Sequence, residues 1–423
     1  MKDNNSIIIK EIKVEGNRIS CEYDVIGTVK DFFKLDQTFF VEYSIDVSSV
    51  PKSIAIVPLL ANILPVSWVC DAEIVVPSCD KTFYDSLENI KNGYKNMFPT
   101  TSFKGKLTVG SIEENQQNNN KGSVAFFSGG VDAFNTLVNH ADEHPTLITL
   151  WGSDVQHSDE KGWANVINHL NDTSLEFGVD YLTAKTSFRM ILNEKKLDEK
   201  IALSGDQWFH GFQCGMGIIC HAAPVAYIMH KDTIYFASSY TSTDVYTSAS
   251  DPTIDNHVRF GSSHVSHDGY EYSRQMKVHN IVEFCKKQQC NVFLRVCWAT
   301  NGGGNCCVCE KCWRTILALY AEKVDPKKFG FNYADFSSLC KQMHKQAYKF
   351  KGHGTLQFYS AIIQTLHDNY RIEDVDPNLR WFYKIKIEHL GEMPFYYYIL
   401  RDLRIYLGTI KYKINTCLKR LPQ

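Results

Sequence analysis

Four cysteines in the last third of the chain have the spacing of a closed metal site. Cys297, Cys306, Cys309 and Cys312 follow the pattern C-x8-C-x2-C-x2-C. Short x2 loops let successive sulfurs reach one Zn²⁺ ion at about 2.3 Å, and four thiolates complete its tetrahedral coordination. Cys307 adjoins this set and is expected to point away from it. The pattern predicts a structural zinc ion, and it favours zinc over a redox pair or an iron–sulfur cluster.

A glycine turn, Ser128-Gly129-Gly130-Val131-Asp132, could bind phosphate. It lies between an apolar run, Ser123–Phe127, and a helical pattern, Val131–His140. Glycines let the backbone approach a ligand closely, and the free N–H groups at a helix N-terminus favour an anion. Asp132 would repel phosphate by itself, but it would help if it held a bridging Mg²⁺ ion. The structural alternative is a plain glycine turn with Asp132 at the helix start; the strand before the turn and the helix after it favour the phosphate site.

The glycine turn resembles the PP-loop of the ATP pyrophosphatase superfamily, Ser-Gly-Gly-x-Asp-Ser, with Ala133 in place of the last serine. The resemblance implies that residues 128–133 bind ATP, which such enzymes cut between the α and β phosphates. It also implies that the adenine rests at the end of the second strand, at Leu150, Trp151 and Gly152. Ala133 removes one hydroxyl contact to phosphate.

Within that superfamily, residues 123–325 resemble 7-cyano-7-deazaguanine synthase, the queuosine-pathway enzyme, because of the cysteine pattern at the end of the domain. This family commonly has glycine where the chain has Cys307. The resemblance implies a ligase that adenylates a small carboxylate, which ammonia or an amine then attacks. Related proteins of anti-phage systems extend the expected acceptors to a protein.

Two cations are expected to neutralise charge during catalysis. Arg274 and Lys277 lie one helical turn apart and therefore on one face of a predicted helix. Together with Asp132 they are the predicted catalytic residues. Arg314, just after the last cysteine, is a further candidate, whereas Asp268 is interpreted as a surface charge and His267 as a loop residue.

Two other functions remain open at the level of the sequence. A PP-loop enzyme that thiolates tRNA would also use cysteines, but it would need a nucleic-acid surface. A net charge of −2 gives no such surface, so a nucleic-acid partner is not expected. A non-catalytic protein that keeps the nucleotide fold is the second alternative; Ser128 and Asp132 argue against it and Ala133 argues for it.

Composition sets the expected surroundings. The N-terminus has no apolar signal segment and no stretch is long enough for a membrane span, so membrane association is not expected. The clustered cysteines indicate metal binding and buried thiols in a reducing cytoplasm. A homo-oligomer is also expected.

The elements predicted from hydrophobic periodicity give an α/β fold. Short strands and one helix, Thr82–Met97, indicate an N-terminal α+β domain at 1–110, and the polar tract 111–122 is interpreted as a linker. From residue 123 to 325, strands and helices alternate, which predicts a doubly wound, five-stranded parallel sheet with its ligand crevice at the carboxyl ends of the strands. The predicted strands are Ser123–Phe127, Thr146–Leu150, Asp180–Ala184, Thr233–Ala237 and Asn291–Val296.

The helices expected in this part of the chain include a long one over Trp208–His230 and one over Tyr272–Gln289. Residues 326–423 are expected to form a helical C-terminal region. Its aromatic run at 395–398 is interpreted as core, and its basic stretch at 401–420 as the solvated face of a helix.

Overall fold

One sheet organises the molecule. The computed structural model describes residues 5–243, 246–297, 303–350 and 353–391, without the side chains of 353–355. The strands of this part are β1 (Ser6–Glu15), β2 (Arg18–Ile26), β3 (Phe39–Tyr43), β4 (Glu73–Asp80), β5 (Lys106–Glu113), β6 (Ser123–Phe126), β7 (Thr146–Trp151), β8 (Tyr181–Thr186), β9 (Thr233–Ala237), β10 (Arg259–Phe260) and β11 (Ser263–Asp268).

The described part of the chain also contains α-helices. They are α1 (Lys52–Ala55), α2 (Val57–Cys70), α3 (Lys81–Met97), α4 (Val131–Asn139), α5 (Glu160–Phe177), α6 (Glu194–Lys200), α7 (Met216–Ile219), α8 (Ala222–Ile228), α9 (Pro252–Asp255), α10 (Arg274–Gln288), α11 (Glu310–Ala321), α12 (Phe336–Lys345), α13 (His353–Asn369) and α14 (Arg380–Lys384). The long helix predicted over Trp208–His230 is wrong: a π-helical turn, Phe209–Gln213, precedes α7 and α8. At Gly215 a Cβ atom would come within 2.1 Å of the Ala249 carbonyl oxygen, so the chain turns there against a neighbouring backbone.

The strand order is β10-β11-β9-β6-β7-β8-β3-β2-β1-β4-β5. Strands β11, β9, β6, β7 and β8 run parallel to one another, and β6 lies at the centre of this group. The α/β class is therefore confirmed, with a mostly parallel sheet. The predicted five-stranded sheet is wrong, because the sheet has eleven strands.

One predicted strand is also wrong. Asn291–Val296 belongs to no strand, and β11 takes the place next to β9. Strand β11 alternates buried and more exposed residues, a half-buried pattern that lacks the continuous apolar run expected inside a parallel sheet. The histidines and serines of β11 are polar residues of the kind found in loops, so the sequence did not indicate a strand here.

The N-terminal strands continue the sheet across the predicted boundary at 111–122. Strand β3 pairs antiparallel with β8, which gives partners to an edge that would otherwise expose unpaired N–H and C=O groups. The polar tract itself packs on the protein: β5 extends to Glu113, and the Asn115 amide donates to Ser53 Oγ at 3.0 Å and Asp80 Oδ1 at 2.9 Å. This tract is thus an ordered connection between strands of one sheet.

Both faces of the sheet are covered. Alternate residues of β6 belong to two different cores: Val124 and Phe126 to one, Ala125 and Phe127 to the other. The side-chain period of two in a strand produces this division. The first core includes the N-terminal strands and α2, and the second includes α4, α5, α10, α11 and the helices that follow.

Helix α2 was not predicted, and all of its residues are buried. A helix that is apolar on every side lacks the periodic signal by which surface helices are recognised. In the part of the chain that the structure describes, no helix has both the length and the apolar character needed to cross a bilayer. In the C-terminal region α12 to α14 are helical, as predicted, whereas the aromatic run at 395–398 and the basic stretch at 401–420 lie outside the described residues.

The burial of His221 near β3 and β8 predicts that the stability of the fold depends on pH. Burial lowers the pKa of His221 to about 4, and its Nε2 atom accepts from the Thr186 hydroxyl at 2.9 Å. The folded state favours the neutral ring. The contribution of His221 to the free energy of unfolding is therefore complete above the unfolded pKa of about 6.5 and is lost as the pH falls towards 4. Between pH 7 and pH 5 we expect a loss of about 2 kcal/mol in the free energy of unfolding.

Urea unfolding at the two pH values measures this loss. His221→Gln should remove most of the difference, whereas the same change at the exposed His264 should leave it intact. An equal pH response in His221→Gln and the wild-type chain would assign the effect to other groups.

Candidate nucleotide and metal sites

The glycine turn has the predicted strand–turn–helix geometry. Gly130 caps the N-terminus of α4, and the Gly130 N–H donates to Ser128 Oγ at 3.4 Å. Gly129 has φ of +77°, a conformation that residues with a Cβ avoid. A Cβ at this position would also lie 2.7 Å from His169 Cε1 on α5. Both the conformation and the close approach therefore require glycine here.

Substitution of Gly129 tests this requirement. Gly129→Ala should lower the free energy of unfolding by about 2 kcal/mol or more, because backbone strain adds to the clash with His169. Gly178→Ala is the matched control: Gly178 also has positive φ, +62°, but no atom lies within 4 Å of its added Cβ. Chemical unfolding compares the two. Equal losses would mean that the ring of His169 moves aside at no cost.

The predicted catalytic residues converge on one carboxylate. Arg274 Nη1 donates to Asp132 Oδ2 at 2.9 Å, and Lys277 Nζ lies 3.4 Å from Asp132 Oδ1. Lys277 Nζ also donates to the Ser238 carbonyl at 2.5 Å, directly after β9. The side chains of both cations are almost fully buried, with 9% and 1% exposure, and that of Asp132 is 20% exposed. Their spacing of one turn on α10 is what brings both cations to the start of α4.

Electrostatics keep Asp132 ionised. Burial by itself would raise the pKa of Asp132, but the charges of Arg274, Lys277 and Lys311 outweigh it and lower this pKa below its usual value. Burial lowers the pKa of Lys277 and of Lys311. Three cations thus act on the carboxylate of Asp132, and an anionic ligand would relieve their mutual repulsion.

Arg314 belongs to the same group of cations. Its guanidinium lies 4.4 Å from the ring centroid of Phe358 on α13, and its Nε is 3.6 Å from Glu310 Oε1. The guanidinium of Arg274 approaches the same ring at 5.9 Å. The C-terminal helix α13 therefore forms one wall of the cationic site.

The prediction that Asp132 holds Mg²⁺ does not fit its contacts. Both carboxylate oxygens already face cationic side chains, so a magnesium ion would have to replace an ion pair. Hard cations need oxygen ligands that are free to coordinate. The residues present suit an anion at this position.

The predicted adenine site lies beside the glycine turn. Strands β6 and β7 are paired, and the Phe127 N–H donates to the Ile148 carbonyl at 2.9 Å, which brings the end of β7 next to the turn. Leu150 is buried, whereas the Trp151 ring is partly exposed and stacks on Trp163 at 5.1 Å. Gly152 has φ of +110°. Trp151 thus offers an aromatic surface at this position in addition to the backbone.

The four predicted cysteines come together as one cluster. Their sulfurs all lie within 4.8 Å of one another, with Cys297 to Cys309 at 3.8 Å and Cys306 to Cys312 at 3.9 Å. Sulfurs bound tetrahedrally at about 2.3 Å from zinc are about 3.8 Å apart, whereas disulfide sulfurs are about 2 Å apart. The cluster therefore fits a metal ion such as zinc.

The turn at Cys306 is shaped for a thiolate. The N–H groups of Val308 and Cys309 point to Cys306 Sγ at 3.4 and 3.3 Å, where they stabilise negative charge on sulfur. Cys307 has φ of +56°, and its thiol is directed to the Asn305 carbonyl at 3.8 Å. Cys307 lies outside the four-sulfur group, as predicted.

The segment that leads into the metal site contacts the glycine turn directly. The Arg295 N–H donates to the Gly129 carbonyl, and Arg295 Nη2 donates to the Ser128 carbonyl, both at 2.7 Å. His169 Nε2 donates to the Phe293 carbonyl at 2.5 Å. A cavity of about 390 Å³ opens between this segment and α5. The two predicted motifs are therefore neighbours in space.

Comparisons with family models, with curated proteins and with solved structures give no match. Functional interpretation of this chain therefore rests on its residues and their geometry.

Sequence reasoning missed several residues of the site. Arg295 and His169 contact the glycine turn through tertiary structure alone, and nothing in their local sequence indicates this. Lys311 lies between Cys309 and Cys312 of the cysteine cluster, and that position could have marked it. Asp268 is a structural residue, since it accepts from Thr136 Oγ1 at 2.7 Å and pairs with His140 at 2.9 Å.

One histidine is placed differently from expectation. His267, interpreted as a loop residue, lies on β11 and is buried against Asp255, with Nδ1 2.9 Å from Oδ2.

Proposed function

We propose that this chain is an ATP-dependent ligase that adenylates a carboxylate, releases pyrophosphate, and transfers the acyl group to ammonia or an amine with release of AMP. The observation that carries the proposal is the glycine turn at the start of α4 with the buried pair Arg274 and Lys277 fixed on Asp132. The arrangement provides backbone donors and positive charge at one place, which is what a polyphosphate needs.

The chemistry follows from charge. A carboxylate oxygen attacks the α-phosphorus of ATP, the bond to the β-phosphate oxygen breaks, and pyrophosphate leaves. Negative charge that builds up on the leaving group is stabilised by the cations around Asp132, including Lys311 and Arg314. Nitrogen then attacks the activated carbonyl carbon and AMP leaves with the electron pair. The protein contributes mainly positioning and charge neutralisation.

The cysteine cluster supports a structural role for a bound metal ion. All four positions are cysteine sulfurs, which leaves no open position for a substrate, and closed sites of this kind are structural. We propose zinc as the ion. For the protein as a whole, we also propose a cytoplasmic location and a homo-oligomeric state. The amine acceptor can be a small molecule or part of a protein.

A direct assay tests the proposal. The full-length chain is incubated with ATP, Mg²⁺, ammonium and 7-carboxy-7-deazaguanine, and nucleotides and pyrophosphate are measured. We expect AMP and pyrophosphate in equal amounts. ADP with inorganic phosphate as the products would contradict the assignment, and so would the lack of any pyrophosphate release.

A further inference from the structure

A second group of titratable side chains lies around the π-helical turn Phe209–Gln213. His210 Nδ1 is 2.8 Å from Asp206 Oδ1, and His210 Nε2 is 3.0 Å from the Tyr240 hydroxyl. A carboxylate, an imidazole and a hydroxyl are thus connected in series. This is the order in which proteins activate a hydroxyl or move a proton.

Local structure fixes the direction of the proton path. Asp206 also accepts from the Gln207 N–H at 2.7 Å and from the Thr247 hydroxyl at 2.8 Å. Burial would raise the pKa of Asp206, but the hydrogen bond from His210 and these further donors lower it, so the carboxyl is ionised. An ionised partner requires the proton of the neutral ring to be on Nδ1, which leaves Nε2 as an acceptor for Tyr240.

An unusual backbone presents the histidine. His210 lies in the π-helical turn Phe209–Gln213, and such turns occur frequently at functional sites. The side chain of His210 is 40% exposed, whereas that of Asp206 is 9% exposed. The imidazole therefore has a buried anchor on one side and access to solvent on the other.

The backbone of Tyr240 is connected to the cationic site. Tyr240 follows β9 at the carboxyl edge of the sheet, and its carbonyl accepts from Ser238 Oγ at 2.7 Å. The carbonyl of Ser238 in turn accepts from Lys277, which pairs with Asp132. Burial and the charge of Asp206 raise the pKa of Tyr240, and the charge of Arg314 opposes this shift. Tyr240 therefore lies at the same edge of the sheet as the cations around Asp132.

We propose that Asp206, His210 and Tyr240 form the proton relay that activates the nitrogen nucleophile of the second half-reaction. The proposal rests on the proposed function, in which ammonia or an amine attacks the adenylate. As the new N–C bond forms and the C–O bond to AMP breaks, nitrogen gives a proton to the Tyr240 oxygen. The tyrosine passes its own proton to His210 Nε2, and Asp206 stabilises the imidazolium that results.

The two half-reactions give separate readouts. Exchange of labelled pyrophosphate into ATP, with 7-carboxy-7-deazaguanine present, reports adenylation and needs no base. Amide formation from ammonium reports the relay. For His210→Gln we expect exchange within about twofold of the wild-type chain and amide formation lower by about 100-fold. Tyr240→Phe, which removes only the hydroxyl, should show the same pattern.

Hydroxylamine distinguishes a base from a structural role. Its nitrogen is largely unprotonated at neutral pH and is a stronger nucleophile than ammonia, so transfer to hydroxylamine depends less on a base that takes up the proton. In His210→Gln we expect this transfer to fall by less than about tenfold, in contrast to the loss with ammonium. His264→Gln, at an exposed position of β11, is the control and should match the wild-type chain in all three assays.

Each outcome decides between explanations. Equal loss of exchange and of both transfers would show that His210 only supports the fold, and normal ammonium transfer in both variants would overturn the relay. A wild-type chain without exchange would contradict the proposed function itself, and the relay with it. Normal exchange with normal ammonium transfer in His210→Gln would contradict the relay alone.

Discussion

Asp132→Asn is expected to lower AMP release by about 100-fold or more and to destabilise the fold at the same time. Asp132 fixes both Arg274 and Lys277, and loss of one preorganised charge contact in an active site typically costs two to three orders of magnitude in rate. The unfolding cost arises because Lys277, with a side chain only 1% exposed, keeps its charge without a carboxylate partner. Breaking a buried ion pair in this way costs about 3 kcal/mol.

A double variant separates these two effects. In Asp132→Asn with Lys277→Met, the unpaired charge is replaced by an apolar side chain of similar length, so stability should return towards that of the wild-type chain. Activity should stay low, because neither charge is restored. Urea unfolding and AMP release are measured on the same preparations.

The control is Asp335→Asn, an exposed aspartate that caps α12. Asparagine also caps helices well, so this variant should keep both stability and activity. AMP release by Asp132→Asn at the wild-type rate would remove Asp132 from the site, whatever its effect on folding.

Predictions from the sequence succeeded where the determinants are local. Ser128 to Asp132 form a strand–turn–helix motif whose geometry follows from two glycines and the flanking periodicity. The sulfur cluster follows similarly from short loops that hold three of its four members close together. Arg274 and Lys277 could be paired because the helical repeat puts them on one face.

The rest depends on contacts that no local pattern encodes. Arg295 reaches the glycine turn only because the segment predicted as a fifth strand leaves the sheet and crosses to it. His210 lies where a single long helix was expected, and the chain instead forms a π-helical turn there, from which His210 reaches the Tyr240 hydroxyl. Close backbone packing at Gly215 interrupts the helical pattern, and the packing partner is remote in the sequence.

The sequence also did not indicate that the N-terminal strands join the same sheet. The edge of β8 needs a partner, but nothing in its sequence indicates that β3 provides one. Pairing between segments about 140 residues apart is decided by the complete core, in which Val41 and Tyr43 are fully buried. A domain boundary inferred from a polar tract therefore does not predict whether a sheet ends there.

Loss of the proposed zinc ion should have the second large effect on ATP binding and stability. The reason is that residues 291–297, which lead into the cysteine cluster, are anchored to the glycine turn. Cys297 comes two residues after Arg295, whose N–H and guanidinium hold the Gly129 and Ser128 carbonyls. Cys306→Ser removes the sulfur that two backbone N–H groups stabilise. We expect loss of the zinc ion, a fall in melting temperature of about 10 °C, and ATP binding weaker by at least about tenfold.

Cys307→Ser is the matched control, since Cys307 is the adjacent residue and its thiol points away from the other four. This variant should retain about one zinc per chain and bind ATP as the wild-type chain does. Metal content by mass spectrometry, ATP binding by calorimetry and thermal unfolding are measured on both variants. Iron with the absorbance of an iron–sulfur cluster would contradict the zinc assignment. Full ATP affinity in a metal-free Cys306→Ser chain would show that the glycine turn keeps its shape without the bound metal. The contacts of Arg295 would then not be needed to hold the turn in place.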